Sequence, residues 1–103
     1  MADIIYGYEP THPGEVIKDE VEYRNISQRK LADQLGVPYK ALNDLLNGRR
    51  SLSAATAMMI EAALDIPADS LMRLQLKYNM HRVATDPSFR ERLSRIRRIA
   101  SVL

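Results

Sequence analysis

One short segment carries polar side chains at the spacing of a helix face. Tyr39 and Asn43 are four residues apart, as are Lys40 and Asp44, so a helix would place each pair on one side. Their hydroxyl, amide, ammonium and carboxylate groups can hydrogen-bond base edges and phosphates. The chemistry that this segment predicts is recognition of double-stranded DNA.

The charge of the chain is concentrated in blocks. Residues 27–50 carry five basic side chains against two acidic ones, whereas residues 1–26 have a net charge of −4 and residues 51–79 of −1. Residues 80–103 have a net charge of +4, and two basic blocks separated by acidic ones favour two kinds of partner. Ser27 and Gln28 begin a predicted helix there, and a helix N-terminus attracts phosphate. The candidate DNA-contacting residues are Ser27, Gln28, Arg29, Pro38, Tyr39, Lys40, Asn43, Asp44, Asn47, Arg49 and Arg50.

The residues that catalysis or metal binding would need are not found together. The chain has no cysteine, and its two histidines, His12 and His81, lie far apart without a helical partner. No glycine-rich phosphate loop occurs. We therefore expect no catalytic residue, no metal ligand and no cofactor, and hence neither an enzyme nor a small-molecule substrate.

Composition also restricts the compartment that we expect. No apolar run approaches the roughly 18 residues of a membrane span, so no membrane partner is expected. The first residues lack the pattern of a signal peptide. Together with the absence of cysteine, this predicts a protein of the reducing cytoplasm.

Proline, glycine and capping residues punctuate the chain at intervals that suit short helices, and no segment alternates like a strand. An all-α fold of five or six helices is predicted, with an N-terminal arm at 1–12, a main domain at 13–81 and a basic amphipathic helix within 82–103. The predicted helices span 13–24, 28–35, 38–46 and 54–64, then from 65–67 to about 81, and from 86–87 to the C-terminus.

Residues 28–47 meet the demands of a helix-turn-helix unit, in which two short helices cross steeply. Ala32 is small where the helices must touch, Gly36 lies in the turn and Val37 follows it. Leu42 and Leu45 give the second helix a buried stripe. A plain helical hairpin would use the same residues for packing. The polar face opposite the leucines, inside a block of net charge +3, favours the DNA-binding interpretation.

These residues resemble the helix-turn-helix of the xenobiotic-response-element class, which includes phage repressors. Over roughly residues 12–80 the chain is similar to HigA-type antitoxins, through the segments His12-Pro13-Gly14-Glu15, Leu45-Leu46-Asn47-Gly48-Arg49-Arg50, Leu74-Gln75 and Tyr78-Asn79. The resemblance implies a lambda-repressor-like fold and a homodimer that binds the promoter of its own operon. It also implies neutralisation of a HigB-type toxin, a small ribonuclease that cleaves messenger RNA. Unlike most members, this chain has Met72 and His81 at positions where tryptophan is usual.

Two further surfaces are assigned to protein partners. Glu15, Asp19 and Glu22 fall on one face of the first helix, where they could cover the basic cleft of a ribonuclease, with Tyr6 and Tyr8 as anchors in the arm. A solvated acidic face is the alternative. The fifth helix carries a second apolar stripe, formed by Met72, Leu76, Met80 and Val83. A second subunit of a homodimer or the sixth helix could cover it.

The C-terminal helix and the overall function each leave alternatives open. Phe89, Leu93, Ile96 and Ala100 share one face of this helix, and arginines occupy much of the rest. It could dock on the core, stabilise a dimer or contact phosphates. The leading interpretation of the chain is an operon repressor that is also an antitoxin. The alternatives are a stand-alone regulator without a toxin and a protein-binding module that has lost DNA binding.

Overall fold

The computed structural model describes residues 9–102, which form six α-helices and, within that range, no strand. The helices are α1 (Pro13–Tyr23), α2 (Gln28–Leu35), α3 (Tyr39–Leu46), α4 (Ala54–Leu64), α5 (Ala68–Ala84) and α6 (Pro87–Ala100). None of them is both long enough and apolar enough to span a membrane. The predicted all-α fold is confirmed.

Local capping residues set most of the helix ends. The hydroxyls of Ser27 and Ser53 and the carboxylate of Asp86 accept hydrogen bonds from backbone amides in the first turns of α2, α4 and α6. Gly36 and Asp65 end α2 and α4 in the left-handed conformation. These caps explain why most of the boundaries could be predicted to within a residue or two.

Five boundaries differ from the predicted ones, and the start of α3 and the end of α5 are the two with a clear local cause. α3 begins at Tyr39, because Pro38 occupies its N-cap position in an extended conformation. α5 continues to Ala84, three residues beyond the predicted end near residue 81. No glycine or proline interrupts it there, and it stops where Asp86 caps the next helix.

The chain divides into two compact units, and the division falls inside α5. The first unit is Thr11–Leu76, and the described part of the second is residues 9–10 and 77–102. The first unit contains the whole segment predicted to recognise DNA. Its helices α1 and α2 both pack on α3, and α2 also packs on α4.

Aliphatic side chains fill the core of the first unit. They come from every helix in it and from the loop after α3, and they are Ile17, Val21, Leu31, Ala32, Leu42, Leu45, Leu46, Leu52, Ala57, Ile60, Leu64 and Leu71. A buried polar side chain fixes the loop to this core: Gln75 Oε1 of α5 accepts a 2.7 Å hydrogen bond from the Leu52 amide. The backbone between α3 and α4 is thereby held in place.

The start of α1 makes a close contact with the end of α3. Nδ1 of the buried His12 ring accepts a hydrogen bond from the Gly14 amide at 2.9 Å, which caps α1. A Cβ on Gly14 would lie 1.9 Å from the Leu45 carbonyl oxygen, well inside van der Waals contact. The glycine is therefore required by the approach of two backbones.

The stability of the protein should fall in mild acid because of His12. Burial lowers the pKa of this ring, more than Glu15 and a backbone hydrogen bond with Arg50 raise it. The unfolded chain takes up the proton near the ordinary pKa of about 6.5, and the folded chain does so at lower pH. The free energy of unfolding should therefore decrease as pH falls from about 7.5 to 5.5, by at most about 1.4 kcal/mol per pH unit.

Urea denaturation at a series of pH values measures this effect, with His12→Asn as the matched control. Asparagine can still accept the capping hydrogen bond but takes up no proton in this range. The variant should lose this component of the pH dependence. If the free energy of unfolding of the variant falls with pH as steeply as that of the wild type, His12 is not the source of the pH dependence.

The described part of the second unit contains the end of α5 and all of α6. The Arg82 guanidinium lies 5.8 Å from the centre of the Tyr78 ring, and the Asp86 carboxylate caps α6. No side chain of α6 is buried, and Ile96 and Ile99 are 51% and 60% exposed.

Candidate nucleic-acid interface

The turn between α2 and α3 has the geometry that a helix-turn-helix requires. Gly36 adopts φ 72° and ψ 29°, and the Val37 amide donates to the Ala32 carbonyl at 3.0 Å. Ala32 is 1% exposed, so its small side chain is buried close to where the two helices meet. The buried leucines of α3 face the core, and its polar side chains lie on the accessible side.

Residues at the start of α2 and the start of α3 contact each other across the turn. The Arg29 guanidinium lies 4.3 Å from the centre of the Tyr39 ring, a cation–π arrangement. Tyr39 and Lys40 are exposed, as expected for the first residues of a recognition helix. Ser27 is also exposed, and its hydroxyl is engaged in capping α2.

A chain of hydrogen bonds fixes the amide of Asn43. Its Nδ2 donates to Gln28 Oε1 at 3.0 Å, and its Oδ1 accepts from Arg49 Nη2 at 3.1 Å. Three candidates from α2, α3 and the loop after α3 are thus in direct contact. An amide held at both ends pays little entropy when it meets a base edge.

Asp44 has two basic neighbours. Its Oδ2 accepts from Lys40 Nζ at 3.3 Å. Its Oδ1 accepts from Arg49 Nε at 3.2 Å and lies 3.1 Å from Arg49 Nη2 in an ion pair. Hydrogen bonding to Lys40 is the largest influence that lowers the pKa of Asp44. The carboxylate is therefore charged at neutral pH.

The remaining candidates are placed around this network. Asn47 Nδ2 donates to the Asn43 carbonyl at 2.8 Å, and its Oδ1 accepts from Lys18 Nζ at 3.1 Å. Lys18 was not among the predicted residues, although it is a lone lysine on the acidic first helix. Pro38 is exposed at the N-cap of α3. Arg50 lies outside the network and lines a cavity of about 270 Å³ between α3 and the start of α4.

Of the residues predicted to bind a toxin, the structure describes the three on α1. Glu15, Asp19 and Glu22 are all exposed on α1, and the ion pairs of residues 9–102 include none of the three. Tyr6 and Tyr8 lie outside the described residues.

The residues predicted to form a dimer differ in exposure. Met72 is half-buried and packs against the core of the first unit. Leu76, in the same unit, is 60% exposed, and Met80 and Val83, in the second unit, are 44% and 47% exposed.

Comparison with known proteins identifies the fold. A helix-turn-helix family profile matches residues 17–71, slightly more than half of the chain. The chain belongs to the helix-turn-helix family. The match spans α1 to the start of α5, and it includes both helices that carry the network around Asn43.

Solved structures connect this helix-turn-helix chain with antitoxins. An addiction-module antidote protein of the HigA family from Coxiella burnetii is 28% identical, with a TM-score of 0.68, and the match covers 75% of this chain and 85% of that one. The Pseudomonas aeruginosa antitoxin HigA, solved with the higBA promoter, is 32% identical, with a TM-score of 0.69, and the match covers 74% and 84%. The expected resemblance to HigA antitoxins is confirmed.

A curated relative of this helix-turn-helix protein is named for an association with virulence, not as an antitoxin. Virulence-associated protein A′ of Dichelobacter nodosus is 32% identical over 75 residues, which are 72% of this chain and 65% of the relative. The chain thus matches just under two thirds of that protein's length. The chain has an antitoxin-like fold of the DNA-binding, xenobiotic-response-element type, in a family of regulators that are not enzymes.

Proposed function

We propose that the protein is the antitoxin of a toxin–antitoxin module, which represses its own operon as a homodimer and neutralises a HigB-type ribonuclease. The observation that carries the DNA half is the fixed amide of Asn43, presented between Gln28 and Arg49 on the accessible side of α3. Both activities would take place in the cytoplasm.

In the proposed complex, α3 lies in the major groove. Asn43 reads a base edge, where a paired asparagine amide suits adenine. Gln28 at the N-terminus of α2 and the exposed Arg49 and Arg50 contact phosphates. The Pseudomonas HigA structure with the higBA promoter supports this arrangement, because that related chain was solved with DNA.

The homodimer explains how one short helix could give a specific operator. Two α3 helices related by a two-fold axis should lie about 34 Å apart, or a multiple of that distance. The exposed Leu76, Met80 and Val83 are proposed to lie in the dimer contact.

Footprinting on the DNA upstream of the gene, followed by co-expression with the product of the neighbouring open reading frame, tests the proposal. We expect protection of an inverted repeat and rescue of cells from a toxic neighbour. Protection of one isolated half-site would contradict the dimer. An operator without any toxic neighbour would instead establish a stand-alone regulator, and the absence of any operator would leave a protein-binding module.

Replacement of Asn43 and of Arg49 should separate specificity from affinity. Asn43→Ala removes a proposed base contact and should relax preference at one operator position, at a cost of about 1–3 kcal/mol. Arg49→Ala removes a proposed phosphate contact, so it should weaken operator binding and reduce its salt slope by about one unit without relaxing base preference at any single position. Titrations of operator and random DNA at several salt concentrations measure both effects.

Arg24→Ala is the matched control for this pair. Arg24 pairs with the Glu20 carboxylate at 2.6 Å on α1 and is outside the proposed DNA surface. Its loss changes the net charge as Arg49→Ala does, and should leave both titrations nearly unchanged. If Asn43→Ala and Arg49→Ala act identically on operator and random DNA, these contacts are assigned wrongly.

A further inference from the structure

Asp44 is an acidic residue in the middle of the surface that we propose to face DNA. Its side chain is 24% exposed, and it lies one helical turn from Lys40. A carboxylate near a phosphate backbone lowers affinity through like-charge repulsion. Its presence there needs an explanation that packing does not supply, because Asp44 contributes nothing to the aliphatic core.

The contacts of Asp44 indicate what this carboxylate does. It accepts hydrogen bonds from Lys40 and Arg49, two exposed cations on the surface that we propose to face phosphates. The Lys40 side chain is 86% exposed and the Arg49 side chain is 60% exposed. Both ion pairs can therefore open when a phosphate competes for the cation. Opening them leaves the carboxylate without its donors.

Correct and incorrect DNA sites differ in what they offer this carboxylate. Phosphates can take over Lys40 and Arg49 on any sequence, but they bring only acceptors. In the major groove the N4 amino group of cytosine is a donor that an aspartate accepts. A site with cytosine opposite Asp44 can therefore replace one of the lost hydrogen bonds. Guanine and thymine offer no donor there, and the amino group of adenine lies beside the acceptor N7, which repels a carboxylate.

We propose that Asp44 sets the sequence specificity of this surface by holding Lys40 and Arg49 away from phosphates on DNA that presents no cytosine amino group to its carboxylate. The proposal rests on the proposed DNA-binding function. Asp44 acts largely through its two basic neighbours, and is in that respect a positioning residue as well as a base contact.

Asp44→Asn tests the proposal, because asparagine keeps the shape and removes the charge. At about 0.15 M salt, each cation released to phosphate should raise affinity for random DNA about fivefold and steepen the salt slope by about 0.9. Operator affinity should rise less, because the wild-type carboxylate already has a donor there. The operator-to-random ratio should therefore fall at least about fivefold, and cytosine preference should weaken at one position.

Asp33→Asn is the matched control. Asp33 is exposed on α2, is outside the proposed DNA surface, and its replacement changes net charge equally. This variant should keep the wild-type ratio. Thermal unfolding of both variants should show a folded protein, because neither aspartate lies in the core.

A second background tests the route by which Asp44 acts. When Lys40 and Arg49 are both alanine, Asp44→Asn should raise the affinity for random DNA only by the relief of direct repulsion, well below fivefold, and should no longer steepen the salt slope by about 0.9 for each cation. Persistence of the full effect in that background would overturn the proposal.

The outcomes separate this proposal from the function on which it rests. If the wild type discriminates its operator but Asp44→Asn leaves the ratio and slope unchanged, or raises both affinities equally, the proposal fails and the DNA-binding function stands. If the wild type binds operator and random DNA equally, there is no specificity for Asp44 to set, and both fail.

Discussion

Replacement of Gly14 by alanine should destabilise the protein by at least about 3 kcal/mol. The added methyl carbon would lie 1.9 Å from the Leu45 carbonyl oxygen and 2.9 Å from its carbonyl carbon. Both obstacles are backbone atoms of α3, so no side-chain rotation can relieve the clash. Either α1 moves outwards and exposes Ile17, or α3 shifts. Urea denaturation should show a lower midpoint, and thermal unfolding a decrease of more than about 10 °C.

Gly36→Ala is the control for this variant. Gly36 also has a special role, since it ends α2 with φ 72°, but a Cβ there meets no atom within 4 Å. Its replacement should cost about 1–2 kcal/mol, the penalty of a left-handed alanine. If Gly14→Ala were no more destabilising than Gly36→Ala, the contact between α1 and α3 would be looser than described.

Lysine at Glu15, Asp19 and Glu22 together should abolish toxin neutralisation while leaving operator affinity unchanged or slightly raised. The three exposed carboxylates form the proposed docking stripe for a basic ribonuclease, and reversal converts attraction into repulsion. We expect toxin affinity to fall at least about 100-fold. Growth of cells that express the toxin, alongside salt-matched DNA titration, measures the two functions separately.

Lys40→Glu should have the opposite effect. The new carboxylate lies four residues before Asp44 and faces the proposed phosphates. Operator affinity should therefore fall at least about tenfold, while toxin neutralisation stays intact. The triple variant Glu15→Gln, Asp19→Asn, Glu22→Gln removes the three charges without reversing them, and it should lose only part of the rescue. Full protection by the triple lysine variant would place the toxin elsewhere on the antitoxin.

The parts of the fold that depend on neighbours in sequence were predictable. Ser27, Gly36 and Ser53 mark helix ends through hydrogen bonds or backbone angles within four residues, so the sequence alone indicates them. The helix-turn-helix followed for the same reason. The end of α5 was placed too early because nothing near residue 81 stops a helix.

The parts that depend on distant residues could not be predicted. Gly14 belongs to the segment His12-Pro13-Gly14-Glu15 that carries the family resemblance. The backbone that requires a glycine there is that of Leu45, 31 positions away. The pairing of Asn43 with both Gln28 and Arg49 likewise needs the tertiary fold. The roles of individual side chains towards DNA, toxin or a twin subunit depend on partners, and they remain predictions.

The hydrogen bond from the Leu52 amide to Gln75 has a consequence for anyone who would transplant this DNA-binding surface. The segment from Ser27 to Arg50 looks self-contained in sequence, yet the backbone that follows Arg49 and Arg50 is anchored on α5. A fragment that stops before residue 75, or a graft of α2 and α3 onto another scaffold, would lack that anchor. A portable module should therefore extend at least from the His12 cap of α1 to Gln75.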